Sequence, residues 1–256
     1  MSIQVSQFQQ EQRAPRVGVV IPVYGESEPI CWVLSRFRKG LVNEICLVID
    51  VPLKREMEKI REAAKSTGIA VRIIKNRQRM GVGYSIRQGL RHLLETGYEI
   101  AVIMAGNGKD DPAEIGRVLR PIISDKCDYV QGSRYLPGGK KGRMPLTRVV
   151  FNWLYPKIWT LLTQKKCTDV TNGFRGYRLR MLRDRRINLD QSWLEGYSLE
   201  YYLHHKAITL GYRVKETPVS KMYPFNNRGG YSKIHPLKDW WPIISPLMLL
   251  FLGVRK

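Results

Sequence analysis

Glu99-Ile100-Ala101-Val102-Ile103-Met104-Ala105-Gly106-Asn107-Gly108-Lys109-Asp110-Asp111-Pro112 is the stretch whose reading decides the fold. Its opening is an apolar run and reads as a buried strand. Glycines follow, and Asp-Asp-Pro then opens a helical pattern from Pro112 to Ile123. Ligands in open α/β sheets bind just past the carboxyl ends of strands, so this boundary is also the first candidate site.

The same alternation repeats on either side. Val17 to Val23 is β-branched and apolar, a buried first strand. Tyr24-Gly25-Glu26-Ser27 breaks it, and a helix is expected from Ser27 to about Arg38. Glu44 to Asp50 reads as a strand, Leu53 to Ser66 as a helix, and Ile69 to Lys75 as a strand. A basic, glycine-containing loop from Asn76 to Gly83 then enters a helix that ends near Gly97. Asp128 to Gly132 reads as a fifth strand. Strand alternating with helix this regularly predicts a mostly parallel central sheet with helices on both faces, Rossmann-like in architecture. No G-x-G-x-x-G follows the first strand, which disfavours a dinucleotide oxidoreductase.

The second half is basic and aromatic. From Arg134 to Arg186 the only acids are Asp169 and Asp184. Helices are expected over Val149 to Leu162 and Ser198 to Thr209, and a strand over Val214 to Lys221. With 43 Lys and Arg against 22 Asp and Glu, the net charge is +21. Such a field favours polyanions, anionic membrane surfaces or phosphorylated substrates. No nucleic-acid-binding module is recognisable, so nucleic acid is not an expected partner. The four cysteines form no C-x-x-C pair and read as free thiols in a reducing compartment. The four histidines make no metal-ligand spacing.

Three regions are expected: a flexible polar arm over 1–16 with no secretory character, a catalytic domain over 17–234, and an apolar tail over 235–256. The apolar part of the tail measures only about 22 Å as a helix, short of the roughly 30 Å of a bilayer core. Trp240, Trp241 and the flanking basic residues suit a segment lying on or dipping into the cytoplasmic face of a membrane. A buried C-terminal helix is the alternative.

Several motifs together resemble, in order, the family-2 glycosyltransferases of GT-A fold, and within them the polyprenyl-phosphate (dolichol-phosphate mannose synthase-like) sugar transferases. They are Ile21-Pro22-Val23-Tyr24-Gly25-Glu26, Asp50 at a strand end, the Asn76, Gly81, Gly83, Gly89 loop, Gly132-Ser133-Arg134-Tyr135, Thr168-Asp169 with Gly173-Phe174-Arg175, and Arg228, Gly230, Ser232, Lys233. The resemblance runs from about Val17 to Ile234. It implies nucleotide-sugar binding by Pro22, Tyr24, Glu26, Asp50, Gly81, Asn107, Lys109, Arg134, Arg228, Ser232 and Lys233. It also implies that Asp169 faces the donor sugar or the acceptor. A phosphomonoester acceptor is largely dianionic at pH 7 and can attack unaided when held in line, so Asp169 need not be a base. Arg148 and Arg175 are the candidates for holding it.

The chain departs from the pattern at the stretch quoted first. The family's Asp-x-Asp, which binds Mg2+ or Mn2+ on the donor diphosphate, is here Ala105-Gly106-Asn107. Both aspartates are absent, and Asn107 is the one candidate ligand left at those positions. Three accounts compete. Lys109 can replace the metal as a point charge on the diphosphate. A metal can bind through Asn107, Asp110 or Asp111. Or the chain has lost activity and serves as a binding protein. The first is preferred, because the basic and Thr-Asp motifs are intact. The expected activity is inverting transfer from a nucleotide-diphosphate sugar (GDP-mannose or a UDP-sugar) to a polyprenyl or dolichyl phosphate. A saccharide acceptor, with Asp169 as base, is the alternative. Neither the sugar nor the oligomeric state is written in the motifs.

Overall fold

The computed structural model describes residues 13–25, 27–142, 144, 146–223, 245 and 248–255, and of residue 147 the backbone alone. Glu26, Arg228, Gly230, Ser232, Lys233 and most of the 1–16 arm and the 235–256 tail lie outside the described residues.

Seven strands form one sheet in the order β3-β2-β1-β4-β6-β5-β7. They are β1 (Val17–Tyr24), β2 (Glu44–Asp50), β3 (Ala70–Asn76), β4 (Ile100–Ile103), β5 (Tyr129–Ser133), β6 (Arg175–Arg178) and β7 (Val214–Pro218). The helices are α1 (Ser27–Ser35), α2 (Lys54–Ser66), α3 (Val82–Glu95), α4 (Ile115–Ile123), α5 (Leu146–Thr163) and α6 (Ser198–Thr209). The first four strands are mutually parallel, with Val20 opposite Cys46 on one side and Ile103 on the other. The sheet is therefore mostly parallel, as the alternation of elements predicts.

β6 is the departure. It runs antiparallel between β4 and β5, and the sequence reading contained no strand there. Its four residues, Arg-Gly-Tyr-Arg, carry no β-branched run. Pairing on both sides holds it in place instead.

Successive side chains on a strand point to opposite faces, and the sheet uses this to build two cores. Val19, Ile21, Ile45, Leu47 and Val102 pack against α1, α2 and α4. Val20, Cys46, Val48, Ala101 and Ile103 pack against α3 and α6. A smaller cluster of Tyr155, Trp159, Cys167, Val170 and Tyr201 fastens α5 to α6. The helix expected from Pro112 starts with a single 3-10 turn at Pro112–Glu114, capped by Asp111, whose side chain accepts from Ala113 N–H. Cys31 is partly exposed and Cys46, Cys127 and Cys167 are buried, all as free thiols.

β1 outruns β4. Their pairing ends at Val20 and Ile103, while β1 continues to Tyr24. Pro22, which has no N–H to donate, sits in the unpaired stretch on that side. The loop after β4 fills the opening. Gly106 packs there so closely that an added Cβ meets Pro22 O at 3.1 Å.

Candidate active site

Three groups of side chains gather at the carboxyl ends of β1, β2, β4 and β5. The first centres on Asp50. Its Oδ1 accepts from Asn76 Nδ2 at 2.7 Å and Ser85 Oγ at 3.1 Å, and its Oδ2 accepts from Met80 N at 3.1 Å and Gly81 N at 3.2 Å. A carboxylate offers about four lone-pair sites, so protein donors already take them all. Asp50, expected to accept from a ribose or base, is buried here and shapes the Asn76–Gly81 loop. Gly81 has φ +96°, and a Cβ there meets Glu195 O at 2.5 Å. That carbonyl accepts from Gly83 N and Tyr84 N, closing the start of α3. Gly81 therefore serves backbone packing. Val51, next to Asp50, holds φ 52°, a strained conformation for a β-branched residue. Tyr24, 41% exposed, lies at the mouth with Arg79 over its ring at 4.8 Å.

The second group is the loop after β4. Asn107 Oδ1 accepts from Lys109 N at 3.2 Å, and Gly108 supplies φ +75° for the turn. Asp110 does not cap the helix. It turns inward, fully buried, accepts from Ala105 N at 2.8 Å through Oδ2, and pairs with Lys221 Nζ through Oδ1. Asp111 is the cap, and Arg36 Nη2 binds it at 2.7 Å. Lys109 O accepts from Met222 N at 2.9 Å, and Lys109 Nζ lies 5.4 Å from the Tyr223 ring centroid.

This donor set does not fit a hard divalent cation, which prefers several carboxylate oxygens. Ala105 offers no side-chain ligand, and the Asn107 oxygen serves a backbone N–H. The Asp110 carboxylate is neutralised by Lys221. No cluster of three or more His, Cys, Asp or Glu able to hold a metal occurs among the described residues.

The third group joins the end of β5 to the loop before β6. Arg134 Nε reaches Asp169 Oδ2 at 2.6 Å, Arg134 Nη2 reaches Oδ1 at 2.8 Å, and Arg134 N donates to Oδ2 at 3.0 Å. Both side chains are buried. Burial works against the charge on Arg134, but the Asp169 carboxylate prevails and raises its pKa above the ordinary arginine value. Arg134, expected as a loop cation on the diphosphate, is thus the partner that orients Asp169. Thr171 Oγ1 accepts from Arg134 Nη2 at 2.7 Å and donates to Asn152 Oδ1 at 3.2 Å, which ties α5 to the pair. From below, Glu216 accepts from Thr168 N at 2.8 Å and Asp169 N at 3.1 Å.

Arg175 is corrected as well. It is 1% exposed and donates to the carbonyls of Asn172 and Val170, each at 2.8 Å, and to that of Glu200. Burial opposes its charge, and Tyr129 and Glu200 around it raise its pKa. It braces the 170–172 loop from the interior, with its guanidinium committed to backbone carbonyls. Arg148 lies on the first turns of α5 and is half-buried.

Glu216, Lys221, Tyr223 and Thr171 went unseen in the sequence. The one available signal was Glu216, an acid one residue after Lys215 and three after Arg213. Its role depends on β7 lying beside β5, with Gln131 opposite Glu216.

The family model of Glycosyl transferase family 2 matches residues 18–186. The undecaprenyl-phosphate mannosyltransferase of Micrococcus luteus is 31% identical over 208 residues, covering 80% of this chain and 83% of that one. The polyprenol monophosphomannose synthase of Mycolicibacterium smegmatis is 28% identical over 206 residues, covering 80% and 77%. Among solved structures, glucosyl-3-phosphoglycerate synthase from Mycobacterium tuberculosis, in complex with Mn2+, UDP and glucosyl-3-phosphoglycerate, superposes with a TM-score of 0.62 at 15% identity. That match covers 94% of this chain and 81% of the synthase, and bears out the GT-A fold.

Proposed function

The chain belongs to glycosyltransferase family 2, and on that premise we propose that it transfers a hexose from a nucleoside-diphosphate sugar to a polyprenyl phosphate, without a divalent metal at the β4 loop. The names of the Micrococcus and Mycolicibacterium relatives support the lipid-phosphate acceptor.

The observation that carries this reading is the closed pair of Arg134 and Asp169. A saccharide hydroxyl needs a base to take its proton. Asp169 has one oxygen held by two Arg134 N–H groups and the other by Arg134 Nη2, with Thr171 Oγ1 3.3 Å away. It cannot take a proton without giving up Arg134. A phosphate dianion needs no base. One of its oxygens forms the bond to the anomeric carbon, the bond from that carbon to the diphosphate oxygen breaks, and the electron pair leaves with the nucleoside diphosphate. No proton moves.

The leaving diphosphate needs a cation. Lys109 supplies it on the loop whose shape Asn107, Asp110 and Lys221 fix from beneath. Arg228 and Lys233 are carried as further diphosphate cations by resemblance alone. Arg148, at the start of α5, is the cation proposed for the acceptor phosphate. Tyr24 and Pro22 line the mouth toward the nucleotide, and the acceptor lipid puts the enzyme at the cytoplasmic face of the membrane.

The test screens labelled GDP- and UDP-sugars against polyprenyl phosphate and against a saccharide acceptor. Transfer to the lipid phosphate alone is expected. Transfer to the saccharide alone contradicts the reading, and no transfer to either identifies a binding protein.

A further inference from the structure

We infer that Glu216 is a positioning residue for the transfer reaction: from β7, its one carboxylate sets the backbone on both sides of the Arg134–Asp169 pair. The inference rests on the transferase reading proposed above for its consequence in catalysis, and on geometry for the rest. Arg134 and Asp169 hold each other through two parallel contacts, but such a fork fixes the two side chains only relative to one another. Their place in the site is set by what holds their backbones.

Asp169 stands on the loop between α5 and β6. The back of that loop is held by Arg175, which donates to the carbonyls of Val170 and Asn172. The front is held by Glu216. Its Oε1 accepts from Thr168 N at 2.8 Å, Thr168 Oγ1 at 3.0 Å and Asp169 N at 3.1 Å, and its Oε2 accepts from Thr168 N at 3.0 Å. Among the described residues these two N–H groups have no other acceptor. Strand geometry aims the carboxylate there. Thr217 donates to Arg117 O on the α4 side of the sheet, and successive side chains alternate, so Glu216 points to the opposite side. The register, Gln131 opposite Glu216 and Ser133 opposite Pro218, places it beneath the end of β5.

The Arg134 side is reached through hydroxyls. Ser133 Oγ and Thr168 Oγ1 are 2.6 Å apart. A hydroxyl has one proton, and that of Thr168 goes to Glu216. The proton between the two oxygens therefore belongs to Ser133, whose Oγ in turn accepts from Tyr135 N at 3.2 Å. The chain runs from Tyr135 N through Ser133 and Thr168 to Glu216, and its first two members flank Arg134 in sequence. Its direction is imposed at the far end by a carboxylate, which accepts and does not donate. Linked hydrogen bonds of this kind polarise and strengthen one another. Glu216 thus acts through Thr168, Ser133 and Asp169 rather than on the substrate.

Glu216→Gln tests this. The amide keeps the shape and one acceptor oxygen, but its NH2 replaces an oxygen that faces Thr168 N, so one donor meets another. Transfer to polyprenyl phosphate and backbone amide exchange are measured on the full chain. kcat should fall about tenfold or more, with the donor KM unchanged because the nucleotide is held elsewhere. Exchange should quicken at Thr168 and Asp169 but not at Val48 in the core. Thr168→Val cuts the hydroxyl link alone. It should lower kcat less, and the double variant should be no slower than Glu216→Gln, since both break one chain. Unchanged kcat in Glu216→Gln overturns the inference, as do additive losses in the double variant. A fall in kcat with quickened exchange across the whole sheet also overturns it, by marking a structural role only. Should Glu216→Gln not fold, Thr168→Val stands in, and unchanged kcat there overturns the inference. A wild type that transfers no sugar to any acceptor removes the transferase reading instead, and exchange at Thr168 and Asp169 then decides alone whether Glu216 sets the loop.

Discussion

Arg134 and Asp169 face each other across two parallel contacts of 2.6 and 2.8 Å, both side chains buried. The pair joins the end of β5 to the Thr168–Asn172 loop. A buried charge left without its partner typically costs about 3–5 kcal/mol. Arg134→Ala and Asp169→Asn should each destabilise the fold by roughly that amount in urea unfolding. Arg134→Met with Asp169→Leu should recover most of the loss while abolishing transfer. Full stability in either single variant contradicts the pairing.

Lys109 and Lys221 should separate cleanly. Lys221 neutralises fully buried Asp110, so Lys221→Ala should cost about 3–5 kcal/mol as well as activity. Lys109 is half-buried, with its Nζ 5.4 Å from the Tyr223 ring centroid. Lys109→Ala should change stability by less than about 1 kcal/mol yet slow transfer roughly 100-fold. Equal kinetics with wild type remove Lys109 from the diphosphate site.

Val51 follows Asp50 with φ 52°. Asn tolerates this conformation better than a β-branched residue. Val51→Asn should raise the unfolding free energy by about 0.5–1 kcal/mol. A loss of stability means that contacts of the valine side chain outweigh its backbone strain.

Acid stability should report the two adjacent histidines. Burial holds the His205 pKa down to about 4, with Lys206 adding to it. His204 lies between Tyr129 and Trp159 and is also lowered, by burial first and then by Arg175. Their folded values lie below the unfolded value of about 6.5, so the unfolded chain binds the extra protons. Stability is therefore complete above about pH 6.5 and falls toward about pH 4. His205→Gln should flatten part of that slope in urea titrations. An unchanged slope assigns the loss to carboxylates.

What the sequence could reveal divides along a physical line. β1 to β5 were readable because β-branched apolar runs alternate with helical patterns, and this information is local. β6 was not, since Arg175–Arg178 becomes a strand only between β4 and β5. The site shows the same division. Asp169 and Lys109 stood out as residues in motifs. Arg134 and Asp169 are 35 positions apart and Asp110 and Lys221 are 111 apart, so their pairing follows from tertiary placement. Arg175 occupies a motif position, but its carbonyl partners close around it inside the core. Glu26, Arg228, Ser232 and Lys233 lie outside the described residues and keep their roles by resemblance.

The central claim is lipid-phosphate transfer without a metal at the β4 loop. It is tested most directly by the initial rate of labelled hexose transfer to polyprenyl phosphate in excess EDTA, with wild type and Lys109→Ala side by side. The account predicts a wild-type rate unchanged by EDTA and a Lys109→Ala rate reduced roughly 100-fold, with or without added Mn2+. A wild-type rate abolished by EDTA and restored by Mn2+ contradicts it.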